Sequence, residues 1–524
     1  MIAKSFAQRP LLFILILAAI LRLVAAIYSE GYLMHDDHFL VVESSASWAD
    51  GNDYNNWLSW SQEKTGKFRT GQTPTPHPTN LFYPSLHYLY FIGVDAIGMD
   101  NPREQMLILR LIHGFFSLIV VALAYRIANS LGGRKPAVLT GVLMASLAWL
   151  PIISVHQIIE VFSIAPLLAF SWVLTKNTWT TKTLIIAGIW LGIATGLRFQ
   201  LGVMGIGIVI AFFIQISDKK VWAQKSAIIG VSAILVFSLT QVPTDLFVWG
   251  EPFAQLKAYI DYNISNSDNY PQGNALTYLF VILALAAPPL SFFFLFGYLK
   301  SWRKYAWLVI PSLAFVLFHT LFPNKQERFI LPALPYIVIV GSLVWHQIER
   351  NKTLSKVIIT SSFLINLILL VPFTLSSKNT SQLRAMDFIR MEGDLGSFLY
   401  VQTDSNCLPP RFYCDNWSTY TFADINTDVF GQRRTHCLDS KVEVPNYIIF
   451  VGDSHLGEFV NEFKENYESM EYVVQFGPGR LDRFLHYINP SHLQIKRTMV
   501  YKIDPSIECA NFDIKQLHSN EPPS

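Results

Sequence analysis

The stretch TLIIAGIWLGIATGLRFQLGVMGIGIVIAFFIQI, Thr183 to Ile216, decides how the chain is read. It is about twice the length one helix needs to cross a hydrocarbon core of roughly 30 Å. Arg198 and Gln200 stand near its middle, and a charge held inside hydrocarbon is costly. The simplest reading is therefore two membrane spans joined by a polar turn at Arg198–Gln200. Outward from this hairpin lie further apolar runs near 106–130, 136–152, 158–175, 226–244, 276–299, 305–322, 329–346 and 354–374, after a first run, Pro10–Tyr28, whose one interior charge is Arg22. Together they predict about eleven transmembrane helices. Composition agrees: 51% of the 524 residues are hydrophobic and only 15% charged, too apolar for an ordinary soluble enzyme of this length. The net charge of +2, with no basic stripe, argues against a nucleic-acid partner.

Orientation follows from the basic residues. With eleven spans and an inner N-terminus, the inner turns hold Lys4 and Arg9, Arg134 and Lys135, Lys176 and Lys182, Lys219, Lys220 and Lys225, Lys300, Arg303 and Lys304, then Arg350, Lys352 and Lys356. That is the positive-inside pattern. A crossing at 81–99 would reverse every later turn, so this segment is expected to lie in the interface, with Tyr83, Tyr88 and Tyr90 at headgroup depth. The same parity makes 29–105 one exoplasmic loop with interfacial helices, within a transmembrane domain of residues 1–375. Residues 376–524 form an exoplasmic C-terminal domain. There YIIFVGD and MEYVVQFG read as strands, while LGEFVNEFKENY and RLDRFLHYI read as amphipathic helices, a small α/β unit. All four cysteines, Cys407, Cys414, Cys437 and Cys509, lie in this tail. An oxidising compartment favours two disulfides, with three possible connectivities. A zinc site including His436 is the rival, but no C-x-x-C pair supports it, and no metal is expected.

The unusual chemistry gathers on the outer face. In YLMHDDHFLVVE, Tyr32 to Glu43, the acids Asp36 and Asp37 stand between His35 and His38 just past the first span. A carboxylate there can take a proton from a hydroxyl attacking a sugar's anomeric carbon, or can simply cap a solvated loop. Arg198, Lys325 and Arg328 suit the grip of a phosphate, Arg by a bidentate contact and Lys as a point charge, unless they snorkel to headgroups. His156 and Glu160 in VHQIIE, and Asp245, Trp249, Tyr259 and Asn263 in PTDLFVWGEPFAQLKAYIDYNISN, suit a sugar substrate. Aromatic faces stack on its CH groups, and carboxylates and amides bond its hydroxyls.

Taken in order, these segments resemble the GT-C integral-membrane glycosyltransferases, above all glycosyltransferase family 22, the polyprenyl- or dolichyl-phosphate-mannose mannosyltransferases. The resemblance covers about residues 1–375. Met34-His35-Asp36-Asp37-His38-Phe39 is similar to the family's His-Pro-Asp-Glu motif followed by aromatics. This puts the proposed catalytic Asp on Asp36 and its acidic neighbour on Asp37. GIATGLRFQ resembles its membrane arginine motif, PTDLFVWGEPF…YIDYNISN its Asp-x-x-Phe-Tyr-Gly…Asn segment, and HTLFPNKQERFILPALPY its Pro-His-Lys-Glu-x-Arg-Phe motif, on which Lys325 and Arg328 match. Met34, His35, Asn324 and Gln326 depart from the pattern.

The resemblance implies inverting transfer of a single sugar, mannose, from a polyprenyl-phosphate-linked donor to a glycan or glycolipid acceptor. The leaving group carries no nucleotide, so no cofactor and no obligatory divalent metal is implied. A lipid-linked oligosaccharide ligase or oligosaccharyltransferase, and a lipid-linked sugar transporter or flippase, are the alternatives; a transporter would be expected to contain broken midplane helices and an inverted repeat. A bacterial plasma membrane is the favoured setting, the ER membrane the alternative.

Overall fold

In the computed structural model each of these apolar runs is a helix or a broken helix, as a segment in hydrocarbon must be if its amides and carbonyls are to be paired internally. The structure describes residues 8–510 apart from 56, 59–75, 177, 267–272, 349–351, 404–407, 415, 416, 418, 419, 440, 441, 453–455, 489 and 491–494. Among the described residues, five helices are long and apolar enough to cross a bilayer: Pro10–Tyr28, Pro102–Gly132, Lys219–Trp249, Glu327–His346 and Lys352–Thr374. A sixth candidate, Thr277–Leu285 with Leu290–Lys300, is bent by 118°. Ile159–Leu174, Thr181–Leu197, Phe199–Gln215 and Ala306–Leu321 are apolar but shorter. The segment expected at the interface is a 15-residue helix, Phe82–Ala96.

The chain forms two compact units. The first contains residues 1–28, 40–100 and 104–375, the second residues 29–39, 101–103 and 376–524.

In the first unit, helix Thr181–Leu197 packs along helix Lys219–Trp249 through glycines four residues apart. A Cβ at Gly188 would stand 2.6 Å from the Ile229 carbonyl oxygen, and one at Gly192 2.6 Å from that of Ala233. Small residues at such spacing let membrane helices approach backbone to backbone. The helix ends where its sequence turns polar: Arg198 is extended, at φ −142° and ψ 111°, and a short 3-10 turn, Phe199–Leu201, leads into helix Gly202–Gln215. Terminal carbonyls find partners at that end, since Gln241 Nε2 donates to Gly196 O at 2.9 Å and Asn80 Nδ2 to Leu197 O at 3.2 Å. Arg198 is thus fixed at a well-bonded helix terminus.

The charge inside the first helix is satisfied in a similar way. Arg22 is buried, and its guanidinium donates to Ser117 Oγ at 2.8 Å, Ala145 O at 2.8 Å and Met144 O at 3.2 Å. The two carbonyls close helix Arg134–Ser146, where the helix dipole is negative.

Among the described residues, the second unit is built on five strands: β1 (Phe398–Gln402), β2 (Tyr420–Ala423), β3 (Tyr447–Gly452), β4 (Glu471–Phe476) and β5 (Arg497–Lys502). Their order is β2-β1-β3-β5-β4. The β2, β1 and β3 strands are parallel, with Val401 opposite Ala423 and Phe450, while β5 runs antiparallel to β3 and β4. Burial of Phe398–Val401 and Tyr447–Val451 explains the near-continuous apolar runs of the central strands. Helix Leu456–Asn466 covers one face, with Phe463 edge-on to Phe450 at 5.2 Å. Helices Val429–Leu438 and Pro505–Cys509 are joined by the disulfide Cys437–Cys509. This is one of the two bridges expected. Cys407 lies outside the described residues, and Cys414 is buried with its Sγ 3.1 Å from Met386 Sδ.

Candidate active site

Two separate constellations contain the residues singled out in the sequence. One is the acid segment of the second unit. Gly31 pairs with Lys378 in an isolated parallel bridge; its φ of +95° suits glycine, and a Cβ there would overlap the Lys378 carbonyl. Lys378 Nζ donates to Leu33 O at 2.8 Å and Asn379 Nδ2 to Tyr32 O at 3.0 Å. The Tyr32 hydroxyl donates to Gln382 Oε1 at 2.7 Å. The His38 ring stacks between Tyr32, at 4.8 Å, and Tyr413, at 6.1 Å. At the other boundary of the loop, Arg103 meets Glu30 at 2.5 Å and Asp387 at 3.4 Å, and Arg384 meets Glu30 at 3.0 Å. The acids that follow differ sharply in environment. Asp36 is half exposed, with His35 Nδ1 3.7 Å from its carboxylate, whereas Asp37 is buried at the start of a π-helical turn, Asp37–Val42.

The other constellation is basic and lies in the first unit. Glu160, on the short helix Ile159–Phe162, receives Arg198 Nη1 at 3.2 Å and Arg328 Nε at 3.8 Å on the same oxygen, Oε1. The side chains of Glu160 and Arg198 are 5% exposed and that of Arg328 10%, so these charges interact with little screening. Phe329 lies beneath both guanidiniums, 5.4 Å from that of Arg198 and 5.7 Å from that of Arg328, a cation–π arrangement. Amides steer the two arginines: Arg198 Nε donates to Gln200 Oε1 at 3.2 Å and Arg328 Nε to Gln326 Oε1 at 2.8 Å. Gln200 in turn donates to the Tyr259 hydroxyl.

Beside this cluster is a cavity of about 280 Å³ lined by Gln200, Tyr259, Asn263, His319, Asn324 and Phe329 together with apolar Ile260, Ile264, Phe318, Phe322 and Pro323. His319 Nδ1 donates to Phe315 O at 2.8 Å, which makes Nε2 an acceptor. A polar end backed by apolar walls can bind an anion that carries a hydrocarbon chain.

Not every expected residue joins the cluster. Lys325 Nζ donates to Thr320 O at 2.8 Å and Phe322 O at 2.5 Å, closing the C-terminus of helix Ala306–Leu321. Asp245 is fully buried. It lies beside the start of helix Ala254–Ser265, whose later turns carry Tyr259 and Asn263. Trp249 packs elsewhere, with Trp48, Trp57, Leu58 and Leu81. His156 is buried. Sequence reasoning missed His319, Phe318 and Phe329 as cavity lining and Lys378, Asn379 and Gln382 as anchors of the acid segment. The first three sat within or beside the quoted LFPNKQERF motif; the anchors had no local signal.

A family model for the Alg9-like mannosyltransferases matches residues 11–394. Among curated proteins no sequence matches the chain. Among solved structures it is similar to ArnT from Cupriavidus metallidurans bound to undecaprenyl phosphate, at 9% identity and TM-score 0.59, covering 94% of this chain and 98% of that one. It is similar also to the Archaeoglobus fulgidus oligosaccharyltransferase, at 12% identity and TM-score 0.52, covering 90% of this chain and 73% of that one. A third is the arabinofuranosyltransferase AftD from Mycobacteria, at 10% identity and TM-score 0.51, covering 93% of this chain and 40% of that one. At such identities these likenesses establish the GT-C fold, and with the apolar helices they make the chain a multi-pass membrane protein. The match over most of its length makes it a glycosyltransferase, and the chain belongs to the Alg9-like mannosyltransferase family.

Proposed function

We propose that the protein transfers one mannose from a polyprenyl-phosphate-linked donor to a glycan or glycolipid acceptor on the exoplasmic face of the membrane, with inversion at the anomeric carbon. The observation that carries this reading is the pair of buried guanidiniums, Arg198 and Arg328, beside a cavity with a polar end and apolar walls. That combination suits a phosphate on a hydrocarbon chain, the chemistry of the undecaprenyl phosphate bound by the Cupriavidus relative. Asp36, partly exposed, is the base that takes the acceptor hydroxyl's proton as its oxygen bonds to the anomeric carbon. The bond from that carbon to the phosphate oxygen breaks, and its electron pair leaves with the lipid phosphate. Arg198 and Arg328 stabilise the charge that accumulates there. Asp37 is the second carboxylate of the acid segment, and Tyr259 and Asn263 orient the donor. Eleven crossings, with the acid segment and residues 376–524 outside, fit this chemistry and the basic inner turns.

The test is to incubate the purified full chain with a panel of polyprenyl-phosphate sugars and an acceptor glycolipid mixture. Transfer of single mannose residues is expected, and block transfer of an oligosaccharide would overturn the reading. Asp36→Asn keeps the shape and most hydrogen bonding but cannot accept the proton, so turnover should fall roughly 10²–10⁴-fold. A larger loss in Asp37→Asn than in Asp36→Asn would move the base to Asp37; near-normal transfer by the folded double variant would remove the carboxylates from the mechanism.

A further inference from the structure

We propose that His319 reads the donor's sugar, accepting at Nε2 a hydrogen bond from one of its hydroxyls, and so determines which sugar the site takes. The inference rests on the function proposed above, because it treats the cavity beside Arg198 and Arg328 as the donor site. His319 lines that cavity and is only 5% exposed. Its imidazole is fixed by the hydrogen bond from Nδ1 to Phe315 O at 2.8 Å and by the rings of Phe315, Phe318 and Phe329, whose centroids lie 4.2, 5.4 and 6.0 Å away. With Nδ1 committed to a carbonyl, Nε2 of the neutral ring carries a lone pair. That atom is buried without a hydrogen-bond partner among the described residues. A histidine kept for packing alone would leave it unmatched, at a cost that a phenylalanine avoids.

The lone pair selects what can sit on it. It needs a hydrogen-bond donor and repels the oxygens of a phosphate diester, which carry no proton at neutral pH. The prenyl chain of the lipid has no O–H either. Within the donor, only the sugar's hydroxyls can satisfy Nε2. Phe329 neighbours both kinds of group, since its ring lies 6.0 Å from that of His319 and 5.4 and 5.7 Å from the guanidiniums of Arg198 and Arg328. A ligand lying across this ring is read at two points, its phosphate by the cations and its sugar by the imidazole. It therefore enters one way round. A sugar that lacks the hydroxyl leaves Nε2 desolvated and unpaired, the condition under which a polar site discriminates most strongly.

Steady-state transfer by the purified full chain would measure this, with polyprenyl-phosphate-mannose and its 2-, 3-, 4- and 6-deoxy analogues as donors. In the wild type one analogue should lose roughly tenfold or more in kcat/KM relative to mannose. In His319→Phe the penalty on that analogue should vanish, because mannose itself falls by a similar factor, while the penalties on the other analogues stay. His319→Gln, which offers an amide oxygen as acceptor, should restore part of the preference. Affinity for polyprenyl phosphate, which carries no sugar, should stay within about twofold of wild type in both variants. An equal loss on every donor, an unchanged set of penalties, or a matching loss of polyprenyl phosphate affinity would overturn the proposal. So would a wild type that uses all the analogues as well as mannose, a comparison that needs no variant to fold and the result expected if the hydroxyl on Nε2 came from the acceptor. If the wild type transfers no mannose from the lipid, the proposed function itself fails, before His319 is at issue.

Discussion

The acid segment and the basic cluster solve opposite problems. Residues 29–39 are short, polar and partly exposed, and they are shaped by contacts to their backbone: Lys378 on Leu33 O, Asn379 on Tyr32 O, and the bridge at Gly31. Main-chain groups thus bear the positioning of the segment that carries Asp36. Around Arg198 the converse holds. Side chains position one another there, through charge and through the Phe329 ring, with helices packed on glycine behind them. Damage to the first region should therefore change the rate of a step, whereas damage to the second should change binding as well.

Substitutions can break that contrast. Arg328→Ala removes a charge-assisted contact to the donor phosphate and leaves Glu160 with one partner, so kcat/KM should fall by roughly 10²-fold or more and donor affinity should weaken with it. Direct lipid binding and steady-state kinetics on the same preparation check this. Unchanged donor affinity would take Arg328 out of the phosphate site. Gly31→Ala tests the acid segment, since the added methyl collides with the Lys378 carbonyl at a positive φ. Turnover should fall about tenfold while donor binding stays near wild type, because only the base is displaced. Lys378→Met, which keeps the stem and loses the hydrogen bond to Leu33, should give a smaller loss of the same kind, roughly threefold. A parallel loss of donor affinity in either variant would erase the distinction between the two regions.

The contrast also explains what could be read from the chain alone. The apolar runs, the hairpin turn at Arg198–Gln200 and the helices and strands within 447–488 carry local periodicity, and their elements form near where the pattern predicts. Crossing lengths were less legible. The run at 276–299 is uninterrupted in hydropathy, yet it bends by 118° at residues 286–289. The strands β1, β2 and β5 went unread because four- to six-residue segments signal strand only once their neighbours are known. Arg198 and Arg328 stood out as charges at membrane depth, but their sharing of Glu160 joins residues far apart in sequence. Lys325 looked equivalent to Arg328 in the same motif and differs through one local fact, the unpaired carbonyls within its reach. Nothing near residue 378 marks it as an anchor for residues 31–33. Such pairings are tertiary choices and have no one-dimensional signature.

The smallest expected effect concerns acid and the second unit. His436 is buried, and its Nε2 is 3.0 Å from the Thr421 hydroxyl. Burial disfavours the imidazolium and pushes its pKa down to about 4, from 6.5. Between these values the unfolded chain binds more protons than the folded one, so stability rises with pH: it is full above about 6.5 and is lost as pH falls toward 4. At pH 5 the loss from this one group is at most about 2 kcal/mol. His436→Asn should flatten that part of the profile. Pulse proteolysis in urea at pH 7.5 and pH 5, read on fragments from residues 376–510, measures the difference. Since residues 29–39 pack with this unit, mild acid should loosen the acid segment and lower turnover while donor binding persists. An acid-sensitive donor affinity, or a pH profile that the asparagine leaves unchanged, would show that this histidine does not link the second unit to acid.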